Sequence, residues 1–178
     1  VLNDEIHYAR NVMKTNTTTV QTFVSINRGP AGVVNTGKIQ WFEPMDRKVG
    51  PATGFSVDAL DKLPRVDVIY AHANMSADLI DAAVKNGAKG LVIAGVGDGN
   101  MTTPALDAVT RAAKSGIVVV RSTRLASGIT LRNNEVNDDE KGLVASGELN
   151  PAKSRVLLQL ALTKTNDPAR IQQMFYEY

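Results

Sequence analysis

The fold is decided by three short runs of β-branched and aliphatic residues: VDVIY at residues 66–70, GLVIA at residues 90–94 and IVVV at residues 117–120. The second and third runs are apolar almost throughout, which is typical of strands covered on both faces of a sheet. Amphipathic segments separate the runs, and strands that alternate with helices at this spacing indicate right-handed crossovers and a parallel sheet. The sequence therefore predicts an α/β domain with three layers and a mainly parallel sheet.

Four segments carry the signals of helices. One covers residues 76–86 and presents an apolar face. A second begins at Thr103-Pro104, where we expect the hydroxyl to cap the helix and the proline to follow it. Asn150-Pro151 and Asp167-Pro168 repeat this start signal. The helix expected after the third strand is missing, and a polar segment over residues 122–141 takes its place.

The first 64 residues differ in character. Asn35-Thr36-Gly37-Lys38 joins two apolar runs and predicts a β-hairpin. Residues 43–64 carry three prolines and two glycines among mixed charges, which predicts an interdomain linker. We therefore expect residues 1–42 to be the tail of a second, mostly missing α/β domain, and residues 65–178 to form the carboxyl-terminal α/β domain. A chain that opens on Val1 without Met suggests a fragment.

Charge and composition argue against several classes of function. The net charge is +2, from 20 Lys and Arg against 18 Asp and Glu, which excludes a nucleic-acid-binding protein that relies on bulk charge. No apolar run approaches the roughly 20 residues of a membrane span. The absence of cysteine excludes a thiol nucleophile and thiolate metal sites, and two histidines disfavour a His-rich metal site.

Residue patterns alone leave three candidate sites open. The loop at residues 95–100 follows the second predicted strand, at the end of the sheet where α/β folds bind ligands, although a tight turn also explains its glycines and is favoured. Lys14 stands among threonine hydroxyls, where burial would suit it to proton relay, but a solvated loop is favoured. The acidic run at residues 134–141 is typical of a solvated face and lacks the spacing of a calcium loop.

Several motifs in fixed order are spread over the whole chain, at residues 1–7, 10–18, 29–30, 95–100, 120–122, 144–147, 149–155, 161–168 and 175–178. Together these motifs resemble those of the periplasmic (type II) bacterial L-asparaginases. Long motifs in a constant order are a specific signal. The chain is therefore similar to about the second half of such an enzyme, and residues 1–42 would be the tail of its amino-terminal catalytic domain.

The resemblance implies roles for three side chains. Lys14 matches the family's catalytic lysine, which acts with a Thr-Asp pair beside a threonine nucleophile, and these partners lie outside this chain. Asn100 and Glu135 match substrate-binding residues that the family's carboxyl domain contributes to the active site of a neighbouring subunit. Asp98 is a departure, because related chains commonly carry Asn there, and it adds a charge next to Asn100.

The implied reaction is hydrolysis of the side-chain amide of L-asparagine to L-aspartate and ammonia through an acyl-enzyme. Some L-glutamine turnover is also implied. The resemblance further implies a periplasmic or secreted bacterial homotetramer with shared active sites, no cofactor, no metal, and neither nucleic acid nor membrane as a partner. We expect the 178-residue chain alone to be inactive. The alternatives are a dual glutaminase–asparaginase and a non-catalytic α/β module that binds a small ligand. A T-G-G-T motif followed by Ile or Leu, together with a T-D-T motif, upstream of Val1 would separate the enzymes from the binding module.

Overall fold

The computed structural model describes residues 1–42, 44 and 46–178. Contacts within the chain divide it into two compact units, residues 1–47 with 126–128 and residues 48–125 with 129–178. The tail at 1–42, linker at 43–64 and domain at 65–178 stay a prediction. Glu43 and Met45 of that linker lie outside the described residues.

The first unit is built from short antiparallel strands. They are β1 (Glu5–Ile6), β2 (Met13–Lys14), β3 (Phe23–Val24), β4 (Gly32–Asn35) and β5 (Lys38–Trp41). Strands β1, β4 and β5 form one sheet in that order, and β2 pairs with β3. The predicted hairpin is confirmed, since Asn35 pairs with Lys38 across a turn in which Thr36 and Gly37 both have positive φ. This is the geometry that suits the twist of a two-residue hairpin.

The second unit contains a parallel sheet with helices between its strands. Its elements are a 3₁₀ helix (Gly50–Thr53), β6 (Val66–Tyr70), α1 (Asp78–Lys85), β7 (Gly90–Gly95), α2 (Thr103–Lys114), β8 (Val118–Thr123), α3 (Asp138–Lys141), β9 (Val144–Ala145), α4 (Pro151–Ala161) and α5 (Pro168–Glu177). The four strands lie in the order β6-β7-β8-β9, all in parallel.

Alternate residues of β7 face opposite layers. Leu91 and Ile93 pack with the buried faces of α1 and α2, whereas Val92 packs with α4 and α5. All three side chains are buried, as the apolar run in the sequence predicted. The three-layer α/β architecture is therefore confirmed.

Side chains cap the starts of four helices, α2, α3, α4 and α5, and the sequence predicted caps for all of these except α3. The predicted caps of α4 and α5 are confirmed, since Asn150 accepts a hydrogen bond from the Lys153 amide and Asp167 accepts one from the Ala169 amide. The prediction for α2 was wrong by one residue. Its cap is the hydroxyl of Thr102, which accepts from the Ala105 amide, and Thr103 is the first helical residue.

The polar segment at residues 122–141 contains more order than its composition indicated. Strand β8 continues through Thr123, and α3 begins at Asp138. The interpretation of the acidic run as a solvated face was wrong for Asp138, whose side chain is fully buried. Its burial is explained by a cation, Arg121, which lies on β8.

Candidate functional site

The candidate site lies where β7 and β8 end. Because parallel strands present their carboxyl ends at one edge of the sheet, the loops that follow them converge there. The loop after β7 closes on itself, since Val96 and Asn100 exchange two backbone hydrogen bonds of 2.8 Å. Helix α2 begins only at Thr103, so the loop stands clear of the helix start. It is a separate, closed turn at the sheet edge.

Arg121, on β8, is the buried cation beneath this loop. Its guanidinium makes a two-pronged ion pair with Asp138, with N–O distances of 2.7 and 2.8 Å, and both side chains are inaccessible to solvent. The remaining donors of Arg121 reach the backbone oxygens of Asp98 at 2.7 Å and Leu131 at 2.9 Å. A buried pair of this kind is tolerated only where hydrogen bonds satisfy its remaining polar atoms. Arg121 therefore holds two loops at once.

The side chain of Asp98 also joins the loop after β7 to the segment that contains Leu131 and Asn134. One oxygen of its carboxylate accepts a hydrogen bond from the Leu131 amide at 2.7 Å, and the other accepts one from the side-chain amide of Asn134 at 2.8 Å. The extra charge expected next to Asn100 is thus held by donors from the segment that leads to Glu135. Asp98 is half-buried.

Asn100 and Glu135 meet at the outer edge of this arrangement. The side-chain amide of Asn100 donates to a carboxylate oxygen of Glu135 at 2.9 Å, although 35 residues separate them. Asn100 is half-buried and Glu135 is exposed. The pair presents a carboxylate to solvent in an orientation supported by an amide, which suits recognition of a cation such as an α-ammonium group.

Lys14 lies in the first unit, at the end of β2, and its side chain is exposed. The hydroxyls around it have local partners: Thr15 donates to the Thr22 carbonyl at 2.8 Å, and Thr22 donates to the Asn16 carbonyl at 2.8 Å. These bonds shape the loop between β2 and β3. Of the three predicted site residues, the structure brings together Asn100 and Glu135, and the catalytic and binding roles of all three stay predictions.

Sequence analysis missed Arg121, Asp138 and Leu131 as parts of this site. An arginine that directly follows three valines on a buried strand was the signal that could have found the ion pair, because a buried cation requires a buried anion. Among the described residues, no group of three or more His, Cys, Asp or Glu side chains could hold a metal ion. The same residues contain no helix with the length and apolar character that crossing a membrane requires.

Comparison with known proteins adds two kinds of match. The glutaminase/asparaginase C-terminal domain model matches residues 65–175, and the asparaginase N-terminal model matches residues 1–47. L-asparaginase 2 of Escherichia coli is 48% identical over 178 residues, which are 100% of this chain and 51% of the relative. The probable periplasmic L-asparaginase of Haemophilus influenzae is 47% identical over 177 residues, 99% of this chain and 51% of that relative.

A more distant relative carries a different name. The glutaminase-asparaginase of Acinetobacter glutaminasificans is 39% identical over 181 residues, covering 100% of this chain and 54% of the relative. The chain thus spans about half the length of the curated relatives it matches. The match of the C-terminal domain model extends from the start of β6 nearly to the end of α5, the whole three-layer region. The chain belongs to the glutaminase/asparaginase family.

Proposed function

We propose that the complete protein hydrolyses the side-chain amide of L-asparagine to L-aspartate and ammonia. The observation that carries this proposal is the Asn100–Glu135 pair, placed at the carboxyl edge of a parallel sheet in a chain of this family. Three relatives at 47–49% identity are named as L-asparaginases, one of them as probable. An amide hydrolase for an amino acid needs a group that recognises the α-ammonium, and an exposed carboxylate provides one.

The proposed reaction has two steps and uses a threonine nucleophile outside this chain. The threonine oxygen attacks the amide carbon, its proton is transferred to the leaving nitrogen, and ammonia departs to leave an ester. Water then attacks that ester, one proton of the water passes to the threonine oxygen to restore its hydroxyl, and aspartate is released. In this proposal Lys14 accepts the proton of the threonine hydroxyl as a general base. A lysine can act in this way when neighbouring groups favour its neutral form.

The test uses the complete protein and two substrates, L-asparagine and the analogue in which hydrogen replaces the α-amino group. If Glu135 binds the α-ammonium, the wild type should strongly prefer asparagine in kcat/KM, and Glu135→Ala should lose most of that preference. Glu140→Ala is the matched control, because Glu140 is an exposed glutamate of the same segment. No ammonia release from asparagine would overturn the activity, whereas a preference retained in Glu135→Ala would overturn only the role of Glu135.

A dual glutaminase–asparaginase is the second candidate. A relative with that double name shares 39% of its aligned residues, and the whole of this chain takes part in the alignment. The pair of Asn100 and Glu135 would recognise the α-ammonium of either amino acid, so it does not separate the two. Comparable kcat/KM values for L-glutamine and L-asparagine would establish the dual activity, and ligand binding without ammonia release would favour the non-catalytic module.

We also propose that the protein works as a periplasmic homotetramer. A relative of 47% identity is named as a probable periplasmic L-asparaginase. In this proposal Asn100 and Glu135 complete the active site of a neighbouring subunit, so the substrate contacts two copies of the chain. Closed assemblies with two-fold symmetry are the commonest way to place such shared residues.

A further inference from the structure

We propose that Asp98 is a positioning residue that sets the orientation of the Glu135 carboxylate toward the substrate. This inference rests on the proposed function, in which Glu135 binds the α-ammonium. It concerns the contacts between the loop that carries Asn100 and the segment that precedes Glu135. Asp98 lies two residues before Asn100, and its two partners, Leu131 and Asn134, lie four residues and one residue before Glu135.

Both oxygens of the Asp98 carboxylate are used in holding that segment. The bond from the Leu131 amide is 2.7 Å long and the bond from the Asn134 side chain is 2.8 Å long. Hydrogen bonds in which the acceptor is ionised are shorter and stronger than neutral ones. Two such bonds accepted by one carboxylate fix both the distance and the rotation of the segment relative to the loop.

Arg121 supports the same connection from the buried side. Its guanidinium donates to the Asp98 carbonyl at 2.7 Å and to the Leu131 carbonyl at 2.9 Å. Asp98 and Leu131 are therefore joined twice, directly through the carboxylate and indirectly through the buried cation. Asp138, the partner of Arg121, also accepts a hydrogen bond from the Asn133 amide at 2.9 Å. The buried ion pair thus supports the backbone on which Glu135 stands.

The reason for a positioning role lies in the exposure of Glu135. An exposed glutamate samples many rotamers, and binding a ligand through it requires one of them to be selected. The hydrogen bond of 2.9 Å from Asn100 selects an orientation only if the two backbones keep their separation. Loss of the Asp98 carboxylate should therefore weaken substrate binding and change KM more than kcat.

Replacing Asp98 by Asn removes the negative charge of the side chain but keeps two groups that can form hydrogen bonds. The carbonyl oxygen of an asparagine can still accept from the Leu131 amide, and its NH₂ can donate to Asn134 once that amide has rotated. An alanine can make neither bond. Asp98→Asn should therefore recover most of the affinity that Asp98→Ala loses.

The experiment measures KM and kcat for L-asparagine in the complete protein. We expect Asp98→Ala to raise KM about tenfold with kcat within about twofold, and Asp98→Asn to return KM to within about twofold of the wild type. Adding Asp98→Ala to Glu135→Ala should raise KM no further, because Asp98 acts through Glu135. Asp81→Ala is the control, since that exposed carboxylate pairs with Arg111 on the helical surface.

Two results would overturn the proposal: an unchanged KM in Asp98→Ala while Glu135→Ala raises it, or a full additional effect in the double variant. A Glu135→Ala variant with wild-type KM would instead contradict the proposed substrate contact. In that case amide hydrogen exchange at Leu131 decides the structural claim. Faster exchange in Asp98→Ala, restored in Asp98→Asn, supports the connection, and unchanged exchange contradicts it.

Discussion

At the scale of single residues, Gly99 shows how closely the site loop approaches the buried cation. Its φ is +77°, and a Cβ atom built on it would lie 2.8 Å from an Nη atom of Arg121. Displacing that nitrogen would break hydrogen bonds, because Arg121 is buried and its guanidinium donates to the Asp138 carboxylate and to two backbone carbonyls. Gly97, in the same loop, has a φ of +53° but open space around the corresponding position.

These two glycines form a matched pair of substitutions. Gly97→Ala should lower the free energy of unfolding by about 1 kcal/mol, because only backbone strain is introduced. Gly99→Ala adds the contact with Arg121 and should lose roughly 1–3 kcal/mol more. Urea denaturation of both variants measures the difference. Equal losses would mean that the loop can move away from Arg121 at little cost.

Lys14 is the residue on which the proposed chemistry depends most. In the complete protein, Lys14→Met should lower kcat by about 10²–10⁴-fold, the usual range for a lost acid–base group, and leave KM within a few-fold. Lys38→Met is the control, because Lys38 is an exposed lysine on a strand of the same unit. Stopped and steady-state assays of ammonia release give both constants. A wild-type kcat in Lys14→Met would contradict a catalytic role for Lys14.

At the scale of elements, Glu177 in the last turn of α5 forms ion pairs that stabilise the end of the helix. Its carboxylate contacts Lys48 at 3.2 Å and Arg170 at 3.1 Å. Hydrogen bonds from Lys48, and next from Arg170, hold the pKa of the Glu177 carboxyl below its ordinary value of 4.5. The ring of Tyr178 meets Phe55 edge-on at 5.1 Å, so polar and apolar contacts both hold this helix end.

A lowered pKa in the folded state means that the ionised Glu177 stabilises the fold above the ordinary pKa. That stabilisation is lost as the pH falls from about 4.5 through the lowered value. The difference in free energy of unfolding between the wild type and Glu177→Gln should therefore shrink below pH 4.5. Urea titrations at several pH values measure it, and 1 M salt should reduce the difference at neutral pH by screening. A difference that grows on acidification would contradict the assignment.

At the scale of the whole molecule, the three predicted site residues are divided between the two units, with Lys14 in the first and both Asn100 and Glu135 in the second. If the proposed shared site is correct, Lys14 of one subunit and Glu135 of another act on the same substrate molecule. Activity would then depend on assembly, and a folded monomer would be inactive. This dependence makes complementation between two inactive variants feasible.

Complementation gives the test of assembly. Complete proteins carrying Lys14→Met and Glu135→Ala should each have low activity, and refolding them together should yield some sites with both residues intact. Ammonia release from the mixture should exceed the sum of the two parents. The control is the same mixture blended after separate refolding. No gain, despite proven mixed oligomers, would place Glu135 in the site of its own subunit.

Local chemistry explains how much of the fold could be predicted. Apolar runs become strands because alternate side chains of a buried strand face two apolar layers, as Leu91 and Val92 do. Asn150 and Asp167 cap helices because their oxygens lie within reach of free amides one turn ahead. Such signals act over a few residues. The ordered parts of residues 122–141 were missed because their stability comes from distant partners.

The sequence by itself determined the alternation of strands and helices in the second unit, the hairpin turn, the caps of α4 and α5, and the family. Only the tertiary structure decided the site: Arg121 and Asp138 are 17 residues apart, Asp98 and Leu131 33, and Asn100 and Glu135 35. Spacing cannot predict such pairs, since they form only where parallel strands bring their carboxyl ends to one edge. Glu135 was identified through the resemblance alone, and its support by Asp98 became visible only in three dimensions. The physical reason is that helices and turns depend on neighbouring residues, whereas a buried ion pair and its hydrogen bonds depend on the packed sheet.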